Sequence, residues 1–151
     1  MLDDSDRRLL RQYQHAPDLG PAELAERAGL APATCARRLE RLRAAGVIRG
    51  NRAVIDWRAL GYEVEVSLRV SLDKTDPRAF DEFISEARNV PEIIEIQTFL
   101  GRVDLRLSVI ARDMAHYQDL YRRAILTLPH IADIEALMHV ARIKSDEGLP
   151  L

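Results

Sequence analysis

Ten consecutive residues near the middle of the chain alternate between polar and apolar side chains. The stretch from Glu63 to Leu72 reads EVEVSLRVSL, with an apolar residue at every even-numbered position. Alternation with a period of two is typical of a β-strand that buries one face only. The chain is therefore expected to contain a sheet, and another element has to cover the apolar face of that sheet.

Five further segments follow this strand and are separated by turn residues. They are a helix that begins at Pro77, strands over 93–100 and 104–111, a helix over 113–126 and a last strand over 133–143. The resulting order is βαββαβ. This order predicts a ferredoxin-like domain, in which an antiparallel four-stranded sheet carries both helices on one face.

The first part of the chain reads as three short helices punctuated by proline and glycine. The first helix follows an acidic start, and Pro21 and Gly29 bound the second helix. Pro32 and Gly46 bound the third helix, since proline suits the first turn of a helix and glycine suits its end. Two short helices joined by a tight glycine-containing turn predict a helix-turn-helix, whose second helix fits the major groove of DNA. The whole chain is therefore expected to be α+β, with a winged-helix-like three-helix domain before the ferredoxin-like domain.

The third helix has one apolar face and one arginine-rich face. Cys35, Leu39 and Leu42 recur at spacings of four and three and are expected to face the core. The candidate DNA-contacting residues on the opposite face are Ala33, Thr34, Arg37, Arg38 and Arg41. Arginine can bond to guanine with two hydrogen bonds or can bind phosphates. Such a face is also typical of an ordinary solvated helix, but the ten arginines against seven acidic residues in 1–52 favour a polyanionic partner.

The predicted domain boundaries follow from these elements. Residues 1–52 form the helix-turn-helix domain, 53–61 a strand and hinge linker, 62–146 the ferredoxin-like domain and 147–151 a flexible tail. Apolar pairs flank Gly50 and Asn51, so residues 47–55 are expected to form a short strand or strand pair, and Trp57 is expected to anchor the hinge.

Several classes of protein are excluded by composition. The chain of 151 residues holds no apolar run long enough to span a membrane, and a cytoplasmic location is expected. Cys35 is the only cysteine, so neither an internal disulfide nor a cysteine zinc site is expected. The four histidines have no metal-ligand spacing, and neither a metal, a cofactor nor a catalytic site is predicted. These histidines are His15, His116, His130 and His139.

Three stretches of the chain resemble the Lrp/AsnC family of bacterial and archaeal transcription regulators, also called feast/famine regulators. They are LDDSDRRLL at 2–10, ELAERAGLAPATCARRLERLRAAGVIRG at 23–50 and LGRVDLRL at 100–107, the last being similar to the Gly-x-x-Asp element of the family. The resemblance covers nearly the whole chain. It implies that the first domain binds operator DNA and that the second, called RAM, forms dimers and usually binds an amino acid.

The resemblance also implies an effector site and an assembly. Members commonly form octamers of four dimers and hold the effector near the Gly-x-x-Asp loop, which maps onto Gly101 and Asp104. Asp104 could hold an ammonium group or fix the loop, and the alternative is a tight hairpin turn that needs Gly101 and is capped by Asp104. Arg102 stands where the family frequently has an acid, so it could favour an anionic ligand or pair with an acid of a neighbouring subunit. Ala31 replaces a serine that often caps the recognition helix.

The sheet face opposite the helices is expected to carry apolar area that a lone domain would expose. The residues assigned to it are Glu95, Gln97, Phe99, Leu137, His139, Ala141 and Ile143. Packing against a second copy would bury this area, which predicts at least a homodimer. Two other functions stay open: an oligomeric ligand sensor without DNA binding, and a decarboxylase-like enzyme on the same architecture.

Overall fold

A computed structural model of the protein describes residues 2–145 and 148–151 and divides into two compact units. The first unit comprises the residues up to Val54 together with Ile143–Leu151, and the second unit comprises Ile55–Arg142. The predicted boundary between the ferredoxin-like domain and the tail, at residues 146 and 147, lies outside the described residues.

The first unit contains the three predicted helices. They are α1 (Asp4–His15), α2 (Pro21–Ala28) and α3 (Pro32–Ala44). The side chain of Asp3 caps α1, and Gly29 ends α2 in the left-handed conformation with a φ of 66°. The apolar faces of the helices meet in one core, which includes the fully buried side chains of Leu9, Leu24 and Cys35. The three-helix prediction is confirmed.

Residues 47–55 form no strand, contrary to the prediction of a short strand or strand pair. The apolar residues are present, but 84% of Val54 and 65% of Ile55 are exposed. A strand needs a neighbouring strand to satisfy its backbone hydrogen bonds. Within the described part of the single chain, no strand pairs with this segment.

The second unit has the predicted βαββαβ order. Its elements are β1 (Val64–Leu72), α4 (Ala79–Ala87), β2 (Ile93–Thr98), β3 (Leu105–Ala111), α5 (Met114–Leu120) and β4 (Ile131–Met138), with a 3-10 turn over Arg58–Leu60 and a π-helical turn over Tyr121–Ile125. The strands pair antiparallel in the order β2-β3-β1-β4. This arrangement confirms the ferredoxin-like prediction and makes the fold α+β.

The alternating residues of β1 place the core on one face of the sheet. Val66 lies opposite Val109 of β3 and Met138 of β4, and Leu68 lies between these same strands. Phe83 of α4 and Tyr117 of α5 pack into the same cluster, so both helices cover one face. No helix in the described residues is long and apolar enough to cross a membrane.

The other face of the sheet differs from the prediction in two ways. Glu65 is buried instead of lying on an open face, because the Arg142 guanidinium binds its carboxylate and also lies 5.7 Å from the centre of the Trp57 ring. In addition β4 ends at Met138, so the three residues beyond it that were assigned to this face lie outside the strand. These are His139, Ala141 and Ile143.

Candidate DNA-contacting surface and effector loop

The amino-terminal half of α3 carries an accessible surface. Ala33 and Arg37 are exposed and lie four residues apart, which places them on the same face of the helix, and Thr34 is half-buried beside them. Among the described residues, the Arg37 side chain has no ion-pair or hydrogen-bond partner. These three predicted DNA-contacting residues therefore form one continuous accessible surface.

The other two predicted residues on α3 contact α1. The Arg38 guanidinium lies 2.8 Å from Asp6 Oδ1 and 2.7 Å from Asp3 Oδ2, and Arg41 Nη2 lies 2.5 Å from Asp6 Oδ2. Only 20% of the Arg38 side chain is exposed, against 55% for Arg41. The ion pairs of Arg38 thus link α3 to α1. Arg41 also pairs with Asp6, but about half of its side chain stays accessible.

Asp6 is the buried centre of this ion-pair network. Its side chain has no exposed surface, and such burial raises the pKa of a carboxyl group. The hydrogen bonds from the Asp3 backbone and from both arginines outweigh burial and lower the pKa of Asp6 to about 2. Hydrogen bonds to the carboxylates of Asp3 and Asp6 raise the pKa of Arg38. At neutral pH the network therefore joins a buried anion to two cations of α3.

The role of Asp6 was not predicted from the sequence. Its position three residues after Asp3 matches a capping box, and the structure forms that box: each side chain accepts a hydrogen bond from the other backbone N–H. Helical periodicity reports only local neighbours, whereas Arg38 and Arg41 lie 32 and 35 residues away along the chain. Only the tertiary fold brings them together.

The amino-terminal end of α3 carries no neutralising side chain. Ala31 makes no side-chain cap, and the first turn contains no acidic residue. The first N–H groups of a helix are unpaired and lie at the positive end of its dipole, which attracts anions. The accessible surface of Ala33, Thr34 and Arg37 therefore lies beside a positive helix end.

Asp104 is buried at the end of the predicted effector loop. Its carboxylate accepts a hydrogen bond of 2.9 Å from the Leu72 backbone N–H and lies 2.7 Å from Lys74 Nζ. Burial raises the pKa of Asp104, but these two partners outweigh it and hold that pKa below its ordinary value. In this chain the aspartate fixes the loop to the end of β1.

Gly101 lies on the exposed side of the same loop. Its φ lies outside the left-handed region, and a Cβ atom built on it would have nothing within 4 Å. The turn therefore does not need a glycine for its own shape. The Arg102 side chain is exposed while its backbone carbonyl accepts a hydrogen bond of 3.0 Å from Ser71 Oγ, and Leu100 is fully exposed at the tip.

One group of three side chains within the described residues lies close enough together to hold a metal ion. It consists of Asp76, Glu82 and His130. Arg78 already lies 3.1 Å from Asp76 Oδ2 and 3.4 Å from Glu82 Oε1, so a cation is paired with both carboxylates.

Comparison with known proteins matches both units to described families. Residues 2–49 match a winged helix-turn-helix DNA-binding model, and residues 65–149 match the Lrp/AsnC ligand binding domain. The HTH-type transcriptional regulator y4tD of Sinorhizobium fredii is 33% identical over 150 residues, covering 99% of this chain and 89% of the relative. The leucine-responsive regulatory protein of Rhizobium meliloti is 29% identical, covering 95% and 92%.

Solved structures give the same result. A transcriptional regulator from Neisseria meningitidis, in complex with L-methionine, superposes with a TM-score of 0.92 at 27% identity, covering 99% of this chain and 97% of the other. An AsnC family regulator from Agrobacterium tumefaciens superposes with a TM-score of 0.90 at 30% identity and the same coverage. Since the family model spans more than half of the chain and the relatives span nearly all of it, this protein belongs to the Lrp/AsnC family of helix-turn-helix transcriptional regulators.

Proposed function

We propose that this protein binds operator DNA through α3 and that an amino acid modulates its DNA affinity, its assembly or both. The observation that carries the proposal is the accessible surface of Ala33, Thr34 and Arg37 at the uncapped start of α3. An exposed guanidinium without a protein partner beside a positive helix end is suited to a polyanion. Because Asp6 pairs with Arg38 and Arg41, α3 is linked to α1, and its accessible surface can be presented to DNA in a fixed orientation.

The five predicted DNA-contacting residues take different roles in this proposal. Arg37 reads a base edge, and Ala33 and Thr34 lie against a phosphate or a thymine methyl group. Arg41 contacts the DNA backbone through the exposed part of its side chain, and Arg38 mainly positions α3.

The effector is proposed to bind at the loop that contains Gly101, Arg102 and Asp104. The Arg102 guanidinium can bind the carboxylate of an amino acid, and the open space at Gly101 lets a ligand approach the backbone. Asp104 fixes the loop, because its carboxylate is already paired with Lys74. The regulator from Neisseria meningitidis whose structure contains L-methionine supports an amino acid as the class of ligand.

The protein is proposed to act in the cytoplasm as a homodimer that assembles further to an octamer, without a catalytic step. Exposed apolar residues support self-association, among them Val54 in the segment that follows the first unit's helices and Leu100 at the loop tip. A dimer would place two copies of α3 against successive major grooves of a pseudo-palindromic site. An effector then regulates only if it binds two states of the assembly with different affinity.

A matched pair of arginine variants tests the role of α3. We expect Arg37→Ala to weaken binding to the protein's own upstream DNA by about 1–3 kcal/mol and to reduce preference over a scrambled duplex. Arg122→Ala removes the same charge from an exposed site on the second unit and is expected to leave binding nearly unchanged. Fluorescence anisotropy titrations at one physiological salt concentration measure both.

Equal losses for the two variants would contradict a specific role for Arg37. A loss for Arg37→Ala that is uniform across both duplexes would mean that it contacts phosphates only.

A further inference from the structure

Residues 148–151, which read GLPL, lie on α1 in the first unit. The Gln14 side chain brackets Leu149 with two hydrogen bonds: its Nε2 donates to the Leu149 carbonyl at 3.2 Å, and its Oε1 accepts from the Leu149 N–H at 2.8 Å. One turn earlier on α1, Arg11 Nε donates to the backbone oxygen of Leu151 at 2.8 Å, and Arg11 Nη2 donates to the same oxygen. Both attachments use the backbone of the segment.

Apolar packing accompanies these hydrogen bonds. The Leu151 side chain packs against the core of the first unit, at a groove that Leu10, Tyr13 and Ile48 also line. The Leu149 side chain remains 70% exposed, so this residue is held by its backbone. Main-chain hydrogen bonds combined with a pocket for one side chain recur in peptide recognition.

The contact requires a glycine at position 148 for two independent reasons. Its φ of +87° lies in the left-handed region, which residues with a Cβ rarely adopt. A Cβ atom would also lie 2.9 Å from His15 Cε1 and 3.0 Å from two atoms of the Gln14 side chain. Moving Gln14 aside would break its bonds to Leu149, so a side chain at position 148 is incompatible with the observed fit.

The chain course gives the contact a consequence for the whole protein. Strand β4 ends at Met138 in the second unit, whereas Ile143–Leu151 belong to the first unit. The chain therefore connects the two units twice, once after Val54 and once after Arg142. We propose that the α1 surface formed by Arg11 and Gln14 is a docking site for residues 148–151 of the same chain, which gives the helix-turn-helix unit a second attachment to the ligand-binding unit.

Chemical crosslinking of the full chain tests the docking without reference to DNA. His15→Cys combined with Leu149→Cys places thiols at two exposed side chains on either side of the contact, and Cys35 stays buried. A short bis-maleimide is expected to give an intrachain crosslink that peptide mass spectrometry maps to α1 and residues 148–151. Glu26→Cys with Leu149→Cys, an exposed position on α2, serves as the control pair and should crosslink several-fold less.

Further substitutions on the crosslinking background separate docking from chance proximity. Gln14→Ala and Gly148→Ala should each lower the intrachain yield several-fold, and Gly20→Ala should not, because Gly20 has open space and an ordinary φ. A yield no higher than that of the control pair would overturn the proposal. A product that joins two chains instead of one would also overturn it and would identify the occupant of the site as the segment of a second copy.

Discussion

At the scale of single residues, charge pairing divides the arginines of α3 into two groups. Arg38 and Arg41 bind the buried Asp6, whereas Arg37 points to solvent without a partner among the described residues. The sequence predicts an arginine-rich face on α3, but it could not separate these roles. The separation depends on a carboxylate that is distant along the chain and adjacent only after folding.

Stability should depend on pH through Asp6. Its pKa in the folded protein is about 2, below the ordinary value of 3.8. Its contribution, roughly 2 kcal/mol, is therefore complete above about pH 4 and is lost as the pH falls through about 2. We expect Asp6→Asn to lower the free energy of unfolding by about that amount at pH 7 and by much less near pH 2, as measured by denaturant titration. An equal effect at both pH values would show that the ion pairs do not stabilise the fold.

At the scale of elements, the glycines of two turns are expected to behave differently. Gly29 ends α2 with a φ of 66°, so Gly29→Ala should cost about 1 kcal/mol or more. Gly101→Ala should change the free energy of unfolding by less than about 0.5 kcal/mol, because its backbone is ordinary and its surroundings are open. Thermal unfolding followed by circular dichroism compares the two. A loss for Gly101→Ala as large as that for Gly29→Ala would restore the alternative that the turn itself needs this glycine.

Elements that depend on local signals were predicted from the sequence, and those that depend on remote partners were not. Proline and glycine placed the ends of α2 and α3, and alternation placed β1 within one residue of its observed start. The strand expected over 47–55 is absent because a strand requires a partner that apolar pairs alone do not provide. Residues 147–151 are predicted to be a flexible tail, whereas the structure gives Leu149 and Leu151 hydrogen bonds to α1. A segment this short has no periodicity from which such contacts can be inferred.

At the scale of the whole molecule, the exposed loop tip is expected to join copies of the chain. Static light scattering of the unmodified protein should give a mass above that of a dimer, and Leu100→Asp should lower it. Met114→Asp places the same charge at another exposed apolar residue, in the first turn of α5 where an acid is favourable, and should leave the mass unchanged. A monomeric mass for the unmodified protein at micromolar concentration would contradict the proposed assembly.

DNA binding by α3 is expected to respond to an amino acid. The measurement that tests it most directly is a titration of the purified protein against its own upstream DNA and a scrambled duplex, at physiological salt, with and without a mixture of amino acids. We predict tighter binding to the upstream DNA and a change in that affinity when the mixture is added. Equal binding to both duplexes, or no binding by a folded oligomer, would contradict the assignment of α3 as an operator-reading helix. Preferential binding to the upstream DNA that no amino acid changes would contradict the assignment of the effector loop.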